Sequence, residues 1–257
     1  MDPQPVTAQN NENNEPTTSP FARALVIAAA VITFIQVAGI SIFILGGSKS
    51  PSIRAVICMA IGLVVFWIII GGLLCLRFKK PVRAWVTKLP GSWQLKFVIF
   101  ATIMALLEEA VTVTMTNCAP LFGVKVGQAY ITASSNYLDV VLGHSVIVFI
   151  PQFIAWAWLL RRYNLSPAVV FLIYGIQGIT GEAMLSGPSQ LMEVFWIFVY
   201  GLMVYLPAYC IPTNRKTRKL DAWIILYFLV VIISPGPMVA IVSRIHPTAI
   251  HFPPIHK

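Results

Sequence analysis

The chain has 257 residues, of which 58% are hydrophobic and only 11% charged, and its mean hydropathy is +0.80. A soluble domain carries about 25% charged residues, so this chain cannot clothe a water-facing surface and lipid must be the solvent for much of it. A formal net charge of +9 then points to loops against an anionic membrane face rather than to nucleic acid, and the length excludes a large soluble domain beside the membrane part.

Residues 1–20, MDPQPVTAQNNENNEPTTSP, are polar and rich in Asn, Gln, Pro and Thr; they read as a disordered tail. They do not form a signal peptide, because the start is not basic and the apolar run that follows is too long. Seven apolar runs follow, at about 22–46, 52–76, 95–116, 139–160, 167–186, 190–210 and 221–245. Each is near the length of about 20 residues that crosses a hydrocarbon core about 30 Å thick. Amides in lipid must be satisfied internally, and runs such as Leu63-Val64-Val65-Phe66-Trp67-Ile68-Ile69-Ile70 lack the alternation of barrel strands. The expected fold is an all-α transmembrane bundle of about seven spans over 21–246, with a short tail at 247–257.

The basic residues orient it. With seven crossings, Arg23, then Arg77, Lys79, Lys80, Arg83, Lys88 and Lys96, then Arg161 and Arg162, then Arg215, Lys216, Arg218 and Lys219 share one side. The other side receives Lys49, Arg54, Lys125, Arg244 and Lys257. The first side is therefore expected to be cytoplasmic, with the N-terminus in and the C-terminus out. Residues 78–94 mix basic side chains with Trp85 and Trp93 and are expected to lie at that interface. No internal repeat of the transporter kind is found.

Five of the nine acids, Glu108, Glu109, Asp139, Glu182 and Glu193, map to the outer half of the bilayer or its outer edge. Glu108 and Glu109 lie about two thirds of the way through the third span. A carboxylate in hydrocarbon costs at least about 2.5 kcal/mol, so the pair needs a cavity, a partner or protonation. Helical spacing puts Ala105, Glu108, Glu109, Thr112 and Thr116 on one small, polar wedge that must face the bundle interior. Intramembrane acids are functional by default; the alternative is a packing network with Thr and backbone groups.

His144 is the only histidine within a span, and near two glutamates it would exchange protons or bind a metal. Asp139 is expected to cap that helix. Gly175, Gly178 and Gly181 precede Glu182 at intervals of three and permit close helix approach. Glu193 opens the sixth span and shares a face with Tyr200 and Gly201; its bland role is helix-start electrostatics. Ser234-Pro235-Gly236-Pro237 breaks the seventh span near the depth of the glutamates, where irregular backbone must be buried or line water. The loop 117–138 is long enough to lie across the cavity mouth as a lid or to dip in as a re-entrant segment. Cys58, Cys75, Cys118 and Cys210 match no metal or redox spacing and read as free thiols. His246, His251 and His256 do not align on one face.

A Glu-Glu pair followed some 35 residues later by a His in another helix resembles the CAAX-protease and bacteriocin-processing glutamic membrane hydrolases. In that family the acid pair is followed by Arg at the position of Val113, a Phe stands at the position of Val140, and a second intramembrane His follows. The resemblance covers residues 108–144 and implies that Glu108 or Glu109 activates a water while His144 stabilises an oxyanion.

Three functions compete. A transporter or channel for a small solute, cation or proton would use Glu108, Glu109, Thr112, His144, Glu182 and Glu193 as ligands in an outward-facing pocket, with a homo-oligomer making up for small size. A hydrolase would use Glu108, Glu109 and His144. A non-catalytic assembly factor or sensor would keep the acids as structure. Apart from Gln36 and Gln152, the cytoplasmic half offers few polar residues to line a path. A bacterial inner membrane is the expected location.

Overall fold

The computed structural model describes residue 16 and residues 18–245. The expected disorder of residues 1–20 falls almost wholly outside the described residues, as do the short C-terminal tail and its three histidines. Ten α-helices are described: α1 (Pro20–Gly47), α2 (Pro51–Leu63), α3 (Gly72–Lys88), α4 (Trp93–Asn117), α5 (Tyr137–Gly143), α6 (Val146–Arg162), α7 (Pro167–Ser186), α8 (Phe195–Tyr209), α9 (Trp223–Ile233) and α10 (Gly236–Ile245). No strand occurs among the described residues. Five helices are long and apolar enough to cross a membrane, and a sixth span forms if the bent pair α5 and α6 is counted as one. The chain is therefore an all-helical integral membrane protein. Each of the seven apolar runs lies on a helix or helix pair, but α8, with 15 residues, is short for a full crossing.

Three helices open on the same dipeptide. Ser19-Pro20, Ser50-Pro51 and Ser166-Pro167 each place Pro in the first turn, where its missing N–H costs nothing. The Ser hydroxyl accepts the amides of Ala22 (3.1 Å), Ile53 (3.5 Å) and Val169 (3.4 Å), as an N-cap does. The second helix is much longer than its apolar run. A π-helical stretch, Val64–Gly71, joins α2 to α3 without a break, giving 38 helical residues. The stretch turns Trp67 inward, and its Nε1 donates to the Val199 carbonyl at 2.9 Å. Within the segment 78–94, expected at the interface, residues 78–88 continue this helix and Trp93 opens α4.

The core lies among α4, α6, α7 and α8. Trp156, Phe153 and Tyr174 are buried at its centre, with Phe153 and Tyr174 stacked at 5.7 Å. α1 is peripheral: most of its apolar side chains are exposed, Phe34 at 75% and Phe43 at 79%, as suits a lipid-facing helix. The tightest pairing is α7 on α8. A Cβ at Gly178 would fall 2.0 Å from the Tyr200 ring, and one at Gly175 would fall 2.5 Å from the Ile197 carbonyl. Gly181, third in the expected series, faces open space instead.

The fourth span is not the continuous helix expected over 139–160. It breaks at His144-Ser145, and its halves are bent by 43°. Asn136, not Asp139, caps α5, accepting the Leu138 amide at 3.0 Å; Asp139 sits in the first turn and accepts from the Ser134 hydroxyl at 3.3 Å. Asn fits the cap because its carbonyl reaches the free amide two residues on. At Ser234-Pro235 the helical ladder is interrupted, yet Trp223–Ile245 still forms one apolar unit of 23 residues.

Gly178→Ala forces Tyr200 or the α7 backbone to move, and overpacking of this kind costs about 1–3 kcal/mol. The thermal unfolding midpoint in detergent is expected to fall for Gly178→Ala and to stay unchanged for Gly181→Ala. Equal midpoints for the two variants would contradict the α7–α8 docking.

Candidate functional site: a buried carboxyl cluster

The α4 wedge packs inward along its whole length. Ala105, Glu108, Glu109, Thr112 and Thr116 are all buried, Glu108 at 4% and Glu109 at 7% exposure. The Thr112 hydroxyl donates to Glu108 Oε1 at 2.7 Å and lies 3.0 Å from the Glu108 carbonyl oxygen. This is an i, i+4 pair on one helix face. Glu109 lies beside the Ser145 side chain, which is itself buried and whose hydroxyl donates to the Val140 carbonyl at 3.3 Å. The break between α5 and α6 makes that contact possible, because it turns the first residue after α5's cap into the bundle. The same break leaves His144 exposed at the end of α5.

Glu182 arrives from α7. Because Gly178 lets the Tyr200 ring lie against the α7 backbone, the Tyr200 hydroxyl reaches Glu182 and donates to its Oε1. Glu108 and Glu109 both interact electrostatically with Glu182 and with Tyr200. Three carboxyls from α4 and α7 therefore share one neighbourhood with hydroxyls from α4, α6's leading edge and α8.

Glu193 extends the series. It follows a 3-10 turn, Pro188–Met192, and interacts electrostatically with Glu182. Trp196 Nε1 lies 3.1 Å from both Glu193 Oε2 and Gln190 Oε1. The flanking backbone is held by α1: Gln36 Nε2 donates to the Met192 carbonyl at 2.7 Å, and Gln36 Oε1 accepts the Val194 amide at 3.1 Å. Gln36 of α1 thus stands level with Glu193 at the start of α8.

The loop 117–138 is folded onto the end of α4. Thr116 Oγ1 accepts the Ile131 amide at 3.3 Å, Asn117 Nδ2 donates to the Ser135 carbonyl at 2.9 Å, and the Tyr137 hydroxyl donates to the Leu106 carbonyl at 2.9 Å. Ala119, Val124 and Ala129 pack with Ala55 and Met59 of α2. Among the described residues, no group of three His, Cys, Asp or Glu side chains is arranged to hold a metal ion. The four cysteines are free.

Ser145, Tyr200 and Trp196 are the contributors that periodicity did not single out as ligands. Tyr200 lies seven residues after Glu193, and that spacing is the one signal that marks it. Glu182→Gln and Tyr200→Phe together are expected to destabilise by less than the sum of the single changes, with a coupling of about 0.5–3 kcal/mol in detergent unfolding. Strict additivity would mean that the two side chains do not meet. No family model, no curated protein and no solved structure matches this chain, so its likeness to the glutamic membrane hydrolases stands on residues 108–144 alone.

Proposed function

We propose that the chain is a multi-pass transport or ligand-binding protein whose buried carboxyl cluster takes up and releases a proton or small cation. The observation that carries this is the convergence of Glu108, Glu109 and Glu182 with the hydroxyls of Thr112, Ser145 and Tyr200. A structural network would need fewer acids: three carboxyls in low-dielectric surroundings repel one another unless protons or a cation intervene. Two buried polar atoms farther along α7, the Tyr174 hydroxyl and Gln177 Nε2, have no hydrogen-bond partner.

In this reading the bundle has seven spans, N-terminus in and C-terminus out, and lies in a bacterial inner membrane; copies of the chain pair through exposed apolar faces. The depth of Glu193 supports an approach from outside. Gln36, its neighbour in level, lies about eleven residues below the outer end of α1, roughly 16 Å at 1.5 Å per residue. The connection from α7 to α8 is then submerged, and α8 is short for that reason. Non-helical backbone at such depth is tolerated where it is buried in protein or lines water. The hydrolase reading has less support, because Val113 stands where that family has Arg and no second histidine lies within a span.

Infrared difference spectroscopy of the reconstituted protein tests the proposal. Carboxyl C=O bands are expected to respond to a change from acid to neutral pH or to added sodium, and to lose that response in Glu108→Gln/Glu109→Gln. Bands that stay silent in the wild type would overturn it and leave a scaffold or sensor role.

A further inference from the structure

The opposite end of the molecule holds a second feature that the carboxyl cluster does not explain. A cleft of about 660 Å³ opens between the end of α3, the start of α4 and residues 207–214. That volume lies within the range of small-molecule sites, about 300–1,000 Å³. Lys80, Arg83 and Lys88 from α3 and Lys96 from α4 line it, and none of its lining residues is acidic. The rest of the wall divides in two. Phe97, Phe100, Pro207 and Ile211 are apolar, whereas Thr87 and Asn214 add neutral polar groups.

The walls are fixed before any ligand arrives. Lys96 Nζ donates to the Thr87 carbonyl at 3.4 Å, tying α4 to α3 across the turn at Gly91, whose φ of +98° suits glycine. Behind the third wall, Arg215 donates to the Pro212 carbonyl at 2.7 Å, to the Leu160 carbonyl and to Asn164 Oδ1 at 3.2 Å. Its guanidinium also lies over the Trp93 ring at 4.8 Å. Arg83 and Lys79 flank the buried Tyr209 ring, at 5.7 and 5.2 Å. The result is a preformed depression with cationic sides beside an apolar wall.

We propose that this cleft binds an anion bearing a phosphate group. Lysine ammonium groups hold phosphate as point charges and arginine holds it through paired N–H donors. The apolar wall would receive the acyl chains of an anionic phospholipid or the body of a soluble phosphate ester. The cleft shares no residue with the carboxyl cluster, so this inference stands apart from the proposed function.

The test uses the purified chain in nonionic detergent, with short-chain phosphatidylglycerol, short-chain phosphatidylcholine and inorganic phosphate as probes and native mass spectrometry as the readout. Phosphatidylglycerol is expected to be retained at least about tenfold more than zwitterionic phosphatidylcholine, reflecting the charge selectivity of basic lipid pockets. Arg83→Gln/Lys96→Gln is expected to abolish that preference, and Lys49→Gln/Arg54→Gln, which removes equal charge elsewhere, to preserve it. Displacement by inorganic phosphate names a soluble phosphate compound as the natural source; persistence names the lipid. Should Arg83→Gln/Lys96→Gln lower the unfolding midpoint, Lys80→Gln/Lys88→Gln at exposed positions replaces it with the same expected loss. Equal retention by wild type and both cleft variants, or no preference over phosphatidylcholine for either phosphate probe, would overturn the proposal.

Discussion

Polar atoms carried into a bilayer must find their partners inside the protein, because the hydrocarbon offers none. In this chain the demand is concentrated at one place, where α7 meets α8. Gly175 and Gly178 remove the side chains that would hold the helices apart, and the Tyr200 hydroxyl then reaches Glu182. That contact fixes the height at which α8 begins. The height, in turn, sets the turn carrying Glu193 against Gln36 of α1. On the other side of the cluster, the break at His144-Ser145 buries Ser145 beside Glu109. The carboxyls of the central trio thus meet side chains from α4, the start of α6 and α8, although only α4 and α7 carry the acids.

Much of this was legible in the residues. Apolar run length located every helix or helix pair, since the hydrocarbon thickness imposes a minimum length on each. The wedge from Ala105 to Thr116 followed from helical period alone, because a polar stripe on an apolar helix has only one direction in which to turn. The glycine spacing before Glu182 pointed to a close neighbour, though Gly181 does not take part. What escaped the sequence depends on relations between helices. Periodicity within α1 says which face Gln36 occupies but not its level against α8. The π-helical stretch adds a residue to one turn in a uniformly apolar run, where no polar marker registers the shift. The kink after Gly143 follows neither a proline nor a charge, so an unbroken helix over 139–160 was the simpler expectation. At the break His144 is exposed and Ser145 is buried.

The molecule is also polarised along its length. Glu108, Glu109, Glu182 and Glu193 gather in the half that contains the α7–α8 connection. Lys80, Arg83, Lys88 and Lys96 gather about the cleft at the other end of α8, where residues 207–214 leave the bundle. Between them lies a core of aromatic rings, Phe153, Trp156 and Tyr174, crossed by few polar atoms. Burial lowers the affinity of Arg215 for its proton, yet carbonyl and amide oxygens occupy its donors, so it acts as a brace for the basic end.

The central claim is that Glu182 and Glu193 lie below the membrane surface yet are reached from the side bearing Lys49 and Lys125. Single cysteines at Glu182 and Glu193, in a chain with its four native cysteines replaced by serine, test it most directly when treated with an impermeant maleimide in right-side-out and inverted vesicles. The account predicts labelling at both positions in right-side-out vesicles only, slower than at a cysteine replacing exposed Lys125. Labelling only in inverted vesicles, or at neither position while the Lys125 cysteine reacts normally, would contradict it.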